Sequence, residues 1–190
     1  MYYNQRIEGA IQECYVRETV RDKLLMVARG LPDHLRLLIF DAWRPLHVQQ
    51  SLFDSFKAQL KTSHPHLSHD ELIIKTQTYV SLPSSDPLKP SPHYTGGSVD
   101  VTLIDQDNND LNMGTVFDDF RPIAQTRYFE TVDDGFSQTV LENRRLLYHM
   151  MVRAGFTNYS SEWWHFDYGN QFWATCSNTV AIYGGIEPEQ

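Results

Sequence analysis

The sequence lacks the features that mark secreted and membrane-spanning proteins. Its two cysteines, Cys14 and Cys176, lie far apart and in no metal-binding spacing, so both are predicted to be reduced thiols. No apolar stretch approaches the length of a transmembrane helix. The first residues are followed by charged residues rather than by the apolar core of a signal peptide. The chain is therefore expected to stay in the cytoplasm.

Runs of basic residues and internal repeats are also missing. The 16 lysines and arginines are scattered, and the formal net charge is -8, which argues against a nucleic acid or an anionic membrane as the partner. A small molecule or a peptide is the expected partner. The 190 residues are 41% hydrophobic and show no repeat, which predicts a single domain over residues 1–190.

What the sequence does contain is a histidine and a carboxylate placed around a Gly-Gly turn in residues 91–100 (SPHYTGGSVD). After the glycines, apolar and polar residues alternate, so Val99 and Val101 face one side of a predicted strand and Asp100 faces the other. A buried carboxylate needs a partner. This stretch alone leaves two interpretations: His93 and Asp100 hydrogen-bond to each other beside a hairpin, or both bind a metal ion.

A second stretch, residues 161–168 (SEWWHFDY), favours the metal site. In an extended conformation Trp163, His165 and Asp167 share one face, which lets His165 approach the first stretch across a sheet. Glu162 precedes this predicted strand, at a point where the chain can bend.

Together the two stretches offer the ligands of a catalytic zinc site. The imidazoles of His93 and His165 and the carboxylate of Asp100 leave the fourth position of a tetrahedral zinc open for water, as in catalytic rather than structural sites. Zinc lowers the pKa of such a water to about 7, and Glu162 is the carboxylate expected to take its proton.

A cluster of histidines offers another place for a metal. His64, His66 and His69 flank Pro65 in a polar connection, with no acid fixed nearby. We interpret them as solvated loop residues.

Arg44 follows a predicted strand at residues 35–40 and lies between Trp43 and Pro45. One interpretation is an exposed arginine before a proline. The other is a guanidinium fixed at the strand end to hold a carboxylate or a developing oxyanion. The residues around Arg44 leave both interpretations open.

Periodicity predicts the other elements of an α+β fold. Helices are predicted at residues 19–29, 48–60, 68–80 and 143–155, a turn at 105–110 and a further short strand at 179–183. Residues 81–90 are rich in serine and proline and are predicted to form a loop that walls or covers the site. The predicted fold is an α+β domain whose antiparallel sheet carries the metal, with helices packed on the other face.

Four motifs occur in order over residues 35–168. They are residues 41–45 (DAWRP), 91–100, 113–118 (MGTVFD) and 162–165 (EWWH). In combination they resemble the D-alanyl-D-alanine dipeptidases of the VanX type. These belong to the zinc D-Ala-D-Ala metallopeptidases, whose fold is shared by hedgehog amino-terminal domains.

The resemblance implies a role for each residue of the metal site. It makes His93, Asp100 and His165 the ligands of a single zinc ion in each chain. It makes Glu162 the general base and later the proton donor, and Arg44 the group that stabilises the tetrahedral intermediate.

The resemblance also implies residues that hold the substrate. Ser91 and Asp118 match positions that help to hold the dipeptide, Asp118 near its ammonium group. The family has a further substrate-contacting tyrosine in its opening segment, a role to which the sequence assigns neither Tyr2 nor Tyr3.

Two residues depart from the family's pattern. Ser98 stands where the family usually has alanine, a small change beside the metal. Trp43 replaces a more usual tyrosine, which can alter the contacts around Arg44.

The function implied is zinc-dependent hydrolysis of D-Ala-D-Ala, or of a related dipeptide with a C-terminal D-residue. One alternative is a D,D- or L,D-carboxypeptidase or endolysin-like peptidase that acts on longer peptidoglycan peptides. Another is a zinc-binding module without catalysis. The presence of Glu162 and Arg44 argues against the module, because a structural zinc site needs neither a base nor an oxyanion donor.

Overall fold

Helices and strands are interspersed along the computed structural model, which describes residues 1–132 and 137–188. In chain order they are α1 Glu18–Gly30, β1 Leu35–Asp41, α2 Leu46–Ser63, α3 His69–Gln77, β2 Ser98–Asp105, α4 Gln138–Arg153, β3 Thr157–Asn158, β4 His165–Asp167 and α5 Gln171–Cys176. Short 3-10 helices lie at His93–Thr95, Pro122–Ala124 and Tyr128–Glu130. The strands pair antiparallel in the order β1-β2-β4-β3. The predicted α+β class is confirmed, whereas the single domain over residues 1–190 stays a prediction.

The apolar face of β2 lies at the centre of the core. Val99, Val101 and Leu103 are fully buried and belong to the same cluster as Leu147 and Met151 of α4. Burying an aliphatic side chain of this size stabilises the fold by about 1.5–3 kcal/mol. The apolar stripe of α1 joins the same cluster, so α1 and α4 cover this face of the sheet.

The polar face of β2 meets its neighbours in a defined register. Asp100 lies opposite His165 of β4. It also lies opposite Asp41 of β1, because an irregularity at Phe40 shifts the β1–β2 pairing. Since side chains alternate along a strand, this register directs the polar groups away from the core.

The α3 helix begins as its sequence predicts. The Ser68 hydroxyl accepts a hydrogen bond from the Glu71 N–H, and the Glu71 carboxylate accepts one from the Ser68 N–H, so the capping box is formed. The helix ends at Gln77, before the predicted end near Val80. In contrast, α4 begins at Gln138, earlier than predicted.

The strand predicted after Glu162, over residues 163–168, is shorter than expected. Residues 161–164 form a turn, in which the Glu162 N–H donates to the Tyr159 carbonyl at 3.0 Å. Trp163 is buried in the apolar core instead of sharing a face with His165. The strand proper therefore begins at His165.

The strand predicted at residues 179–183 is wrong. The preceding helix, α5, was not predicted; it begins after Asn170, whose side chain accepts a hydrogen bond from the Trp173 N–H. Ile182 and Tyr183 both donate their N–H groups to the Gly169 carbonyl. The N–H groups of residues 182 and 183 therefore share one carbonyl acceptor and form no ladder of strand hydrogen bonds.

The structure also describes the two cysteines and the apolar character of the helices. Cys14 and Cys176, which were predicted to be reduced thiols, are both free, and the structure places both at the surface. Over residues 1–132 and 137–188, no helix combines the length and the apolar character needed to cross a membrane.

Arg144 of α4 holds the loop of residues 113–125. Its guanidinium donates hydrogen bonds of 2.7 to 3.0 Å to the backbone carbonyls of Met113, Ile123 and Gln125. The side chain is buried, and burial lowers the pKa of Arg144 to about 10, so it stays protonated at neutral pH. The loop that it holds carries Asp118 to the polar face of the sheet.

Arg144→Leu should lower the free energy of unfolding by about 3 kcal/mol, because a buried carbonyl that loses its donor costs about 1–3 kcal/mol. Urea denaturation measures the change. Arg145→Leu is the matched control on the same helix, since Arg145 is exposed and pairs with Glu130 at the surface. Equal losses in the two variants would contradict the role given to Arg144.

Candidate metal centre and active site

His93 reaches the polar face of the sheet from the turn before β2. The 3-10 helix that it begins ends at Gly96, whose φ of 68° is a left-handed conformation that glycine adopts without steric cost. The His93 Nδ1–H donates to the Ala42 carbonyl at 2.7 Å, because a carbonyl can only accept. The other ring nitrogen, Nε2, is directed at Asp100 and His165, at 3.4 and 3.3 Å.

The candidate ligand atoms of His93, Asp100 and His165 lie within 4.8 Å of one another, and all three side chains are buried. His165 Nδ1 is 3.0 Å from Asp100 Oδ1. Burial opposes ionisation of Asp100, but the two neighbouring imidazoles hold its pKa well below the usual range. A buried, ionised carboxylate beside two ring nitrogens fits the donor set of a three-ligand zinc site.

Arg44 is buried beside this cluster. Its Nε–H donates to Asp41 at 2.8 Å, and its NH1 group donates to Gln49 at 2.7 Å. Its NH2 group is 3.6 Å from Asp100 Oδ2. The guanidinium carbon lies 4.9 Å from the centroid of the Tyr2 ring. The interpretation of Arg44 as an exposed residue is therefore wrong.

Glu162 approaches the cluster from the turn before β4. One carboxylate oxygen is 4.0 Å from His165 Nδ1. Burial raises the pKa of Glu162 to about 7, although the positive charge on His165 opposes the shift. A carboxyl group with a pKa near neutrality is suited both to taking and to returning a proton.

Asp118 lies in the same cavity, on the loop held by Arg144. Its backbone φ is 63°, a left-handed conformation that is uncommon for residues other than glycine and that occurs often at functional sites. Burial, and after it the charge of Asp100, raise the pKa of Asp118 to about 7. The cavity thus contains two carboxyl groups that titrate near neutrality, Asp118 and Glu162.

Tyr2 is a site residue that the sequence left unassigned. Its hydroxyl donates to Asp118 Oδ1 at 3.3 Å and accepts from Arg44 at 3.4 Å, and the side chain is 5% exposed. Tyr3 is 49% exposed. The family's substrate-contacting tyrosine is the signal that could have indicated Tyr2, but only the tertiary contacts distinguish Tyr2 from Tyr3.

Ser91 does not line the cavity. Its hydroxyl accepts a hydrogen bond from the Ser84 N–H at 2.8 Å, and its own N–H donates to the Ser84 carbonyl at 2.9 Å. In the structure Ser91 therefore holds the loop of residues 81–90, whose ends Ser81 and Pro90 do line the cavity.

The cavity around these groups has a volume of about 760 Å³. Besides the candidate catalytic residues, its wall includes the aromatic side chains of Phe56, Tyr79 and Phe120, whose ring centroids are 5.1 to 5.9 Å apart. This volume lies within the range of about 300–1,000 Å³ that is common for small-molecule sites.

The histidine cluster at His64, His66 and His69 is separate from the cavity. Of the residues that the structure describes, those that could hold a metal ion together are His93, Asp100 and His165. His66 and His69 are exposed, and the half-buried His64 makes a 2.9 Å hydrogen bond with its neighbour Ser63.

Comparison with known proteins identifies the family. Residues 10–181 match the peptidase M15 family model described as D-ala-D-ala dipeptidase. The D-alanyl-D-alanine dipeptidase of Synechocystis sp. is 33% identical over 187 residues, which cover 87% of this chain and 75% of that protein. The Escherichia coli enzyme of the same name is 31% identical over 133 residues, which cover 70% of this chain and 55% of that protein.

Solved structures with the same fold are more distant in sequence. A zinc-bound mutant of the vancomycin-resistance D,D-pentapeptidase VanY is 19% identical, with a TM-score of 0.52 over 92% of this chain and 85% of that one. VanYB in complex with D-Alanine-D-Alanine is 18% identical, with a TM-score of 0.51 over 93% of this chain and 91% of that one. At these identities the likeness shows the fold. The family match over residues 10–181 shows that the chain belongs to the D-Ala-D-Ala dipeptidase family of M15 peptidases and is a zinc metallopeptidase.

Proposed function

We propose that this zinc metallopeptidase hydrolyses D-Ala-D-Ala, or a related dipeptide with a C-terminal D-residue. His93, Asp100 and His165 are the proposed zinc ligands, and Glu162 is the proposed base. The observation that carries the proposal is the buried cluster of ligand atoms within 4.8 Å, with a carboxylate oxygen of Glu162 only 4.0 Å from the ring of His165.

The side chains around the cluster supply the proton transfers and the charge stabilisation. A zinc ion held by His93, Asp100 and His165 would supply Lewis acidity toward the scissile carbonyl and would lower the pKa of a bound water. Glu162 takes a proton from the attacking water and gives it to the leaving amine, so that the carboxylate is restored at the end of the reaction. Arg44, held by Asp41 and Gln49, stabilises the negative charge that develops on the carbonyl oxygen.

The proposed position of the substrate ammonium is beside Asp118. A carboxyl group with a pKa of about 7 is readily ionised by a neighbouring cation. The Tyr2 hydroxyl connects Asp118 to Arg44, so the two ends of the proposed site are held at a fixed separation. A free amino group would complete the charge balance at this end of the cavity.

A second candidate function is a D,D- or L,D-carboxypeptidase acting on longer peptidoglycan peptides. The observation that favours it is the cavity of about 760 Å³, whose aromatic wall at Phe56, Tyr79 and Phe120 extends beyond the metal cluster. Both candidates use the same zinc ligands and the same base. They differ in whether the amino end of the substrate must be free.

The purified protein is expected to carry about one zinc ion per chain, as a site of three protein ligands would. His93→Ala should lose most of this zinc, because only two of the three protein ligands remain to hold the ion. Elemental analysis after gel filtration measures the content, with His66→Ala as the matched control from the separate histidine cluster. Normal zinc in His93→Ala, or loss of zinc in His66→Ala, would place the metal elsewhere.

Glu162→Gln should keep its zinc and lose turnover by at least about 10³-fold, since general acid and base steps contribute roughly 10²–10⁴-fold each. Zinc content and the rate of D-Ala release are measured on the same preparation. Glu142→Gln, the same change at an exposed position of α4, should leave both values unchanged. Loss of zinc in Glu162→Gln would instead show that Glu162 is a zinc ligand and not the base.

Substrate length distinguishes the two candidate functions. D-Ala-D-Ala should be cleaved, N-acetyl-D-Ala-D-Ala at least about 10²-fold less well, and a pentapeptide stem not at all, because a capped amine leaves the buried Asp118 without the substrate ammonium that would balance its charge. Asp118→Asn should slow cleavage of the free dipeptide. The ratio between the cleavage rates of the free and the acetylated dipeptide should therefore be smaller in this variant than in the wild type. Efficient release of D-Ala from the pentapeptide would reject the dipeptidase in favour of the carboxypeptidase.

A further inference from the structure

Asp167 lies on the opposite side of the His165 ring from the proposed zinc position. Its Oδ2 is 3.0 Å from His165 Nε2, whereas His165 Nδ1 faces Asp100 Oδ1 at 3.0 Å and His93 Nε2 at 3.3 Å. The imidazole is therefore enclosed by a carboxylate at each nitrogen. Only the Nδ1 side opens toward the cluster of candidate ligands.

The second carboxylate oxygen of Asp167 is held by two donors. Ser98 Oγ and Asn170 Nδ2 each donate to Asp167 Oδ1 at 2.6 Å. Asn170 Nδ2 also donates to Ser98 Oγ at 2.9 Å. Each of the three side chains is at most 1% exposed. The carboxylate is thus fixed within a buried group of hydrogen bonds.

These three residues come from rigid parts of the fold. Ser98 of β2 lies opposite Asp167 of β4 in the strand register. Asn170 is fixed at the start of α5, where its side-chain oxygen accepts the Trp173 N–H at 3.0 Å. The orientation of Asp167 is therefore set by two strands and a helix start rather than by a loose loop.

We propose that Asp167, held by Ser98 and Asn170, is a positioning residue that raises the zinc affinity of His165. By accepting the Nε2–H of His165, it selects the ring orientation and the neutral tautomer in which Nδ1 is the nitrogen that faces the zinc position. It also fixes the plane of the ring and makes the ligand nitrogen more basic. This inference rests on the proposed function, in which His165 is a zinc ligand.

Ser98 has a specific place in this arrangement. It stands where the dipeptidases that the chain resembles usually have alanine, and its hydroxyl donates a hydrogen bond to Asp167 Oδ1. Alanine at this position would leave Asp167 Oδ1 with Asn170 as its donor. Charge-assisted hydrogen bonds of this kind are about twice as strong as neutral ones. Ser98 and Asp167 should therefore act as a coupled pair.

A merely structural role for Asp167 makes a different prediction. The same hydrogen bonds join β2, β4 and α5, so their loss could lower the stability of the metal-free protein without changing its affinity for zinc. Zinc affinity and metal-free stability must therefore be measured separately.

The test uses Asp167→Asn, which keeps the size of the side chain and removes its charge. Zinc affinity, measured by competition with a chromophoric chelator, should fall about 10- to 100-fold. The visible absorption of the cobalt-substituted protein should shift, because the geometry at His165 changes. Asp54→Asn, the same chemical change at an exposed position of α2, should leave both readouts unaltered.

Ser98→Ala provides a second, milder variant that removes one donor from Asp167. Its zinc affinity should fall by less than about tenfold, and the double variant with Asp167→Asn should bind zinc no more weakly than Asp167→Asn alone. The inference is overturned if Asp167→Asn binds zinc within about threefold of the wild-type affinity. It is also overturned if the losses of zinc affinity in the two single variants add fully in the double variant.

His165→Ala separates a failure of this inference from a failure of the proposed function. If His165→Ala loses zinc while Asp167→Asn binds it normally, the ligand set stands and the role of Asp167 is rejected. If His165→Ala binds zinc as well as wild type, the proposed ligand set itself is wrong, and the role of Asp167 is rejected with it.

Discussion

The antiparallel register between β2 and β4 is the constraint on which the site depends. Asp100 and His165 lie opposite each other in this pairing, so their side chains emerge together on one face of the sheet. A slip of β2 by one residue would turn Asp100 into the apolar core and away from His165. The same slip would move the fully buried Val99 and Val101 to the polar face. The hydrophobic core therefore fixes the geometry of the polar site.

The buried charges near this register divide into two groups with different chemistry. Two imidazoles hold the pKa of Asp100 low, so it is an ionised donor for a metal. Glu162 and Asp118 lie further from positive charge, and burial raises the pKa of each to about 7. Arg44 lies between the groups, where it is close enough to Asp100 to limit the repulsion among the carboxylates. One cavity thus offers both a fixed anion and groups that exchange protons.

The elements that were predicted well are those whose signals are local. The alternation after the Gly-Gly turn predicted β2, and the capping box at Ser68 predicted the start of α3. The C-terminal region was predicted poorly because its order depends on distant contacts. The helix α5 has six residues, too few for a periodic signal, and depends on the Asn170 cap and the burial of Ala174. Residues 179–183 are apolar enough to suggest a strand, but they attach to Gly169 and have no neighbouring strand with which to pair.

The sequence by itself determined the family, the fold class and the types of side chain in the candidate site, because motif spacing and the two-residue period of strands are local properties. Only the tertiary structure decided which of two adjacent tyrosines enters the cavity, that Ser91 holds a loop instead of lining it, and that Asp167 stands behind His165. These contacts join residues far apart in the chain or on opposite strands. Their geometry follows from how the loops, the strands and α5 pack together, and no periodic pattern in the sequence encodes that packing.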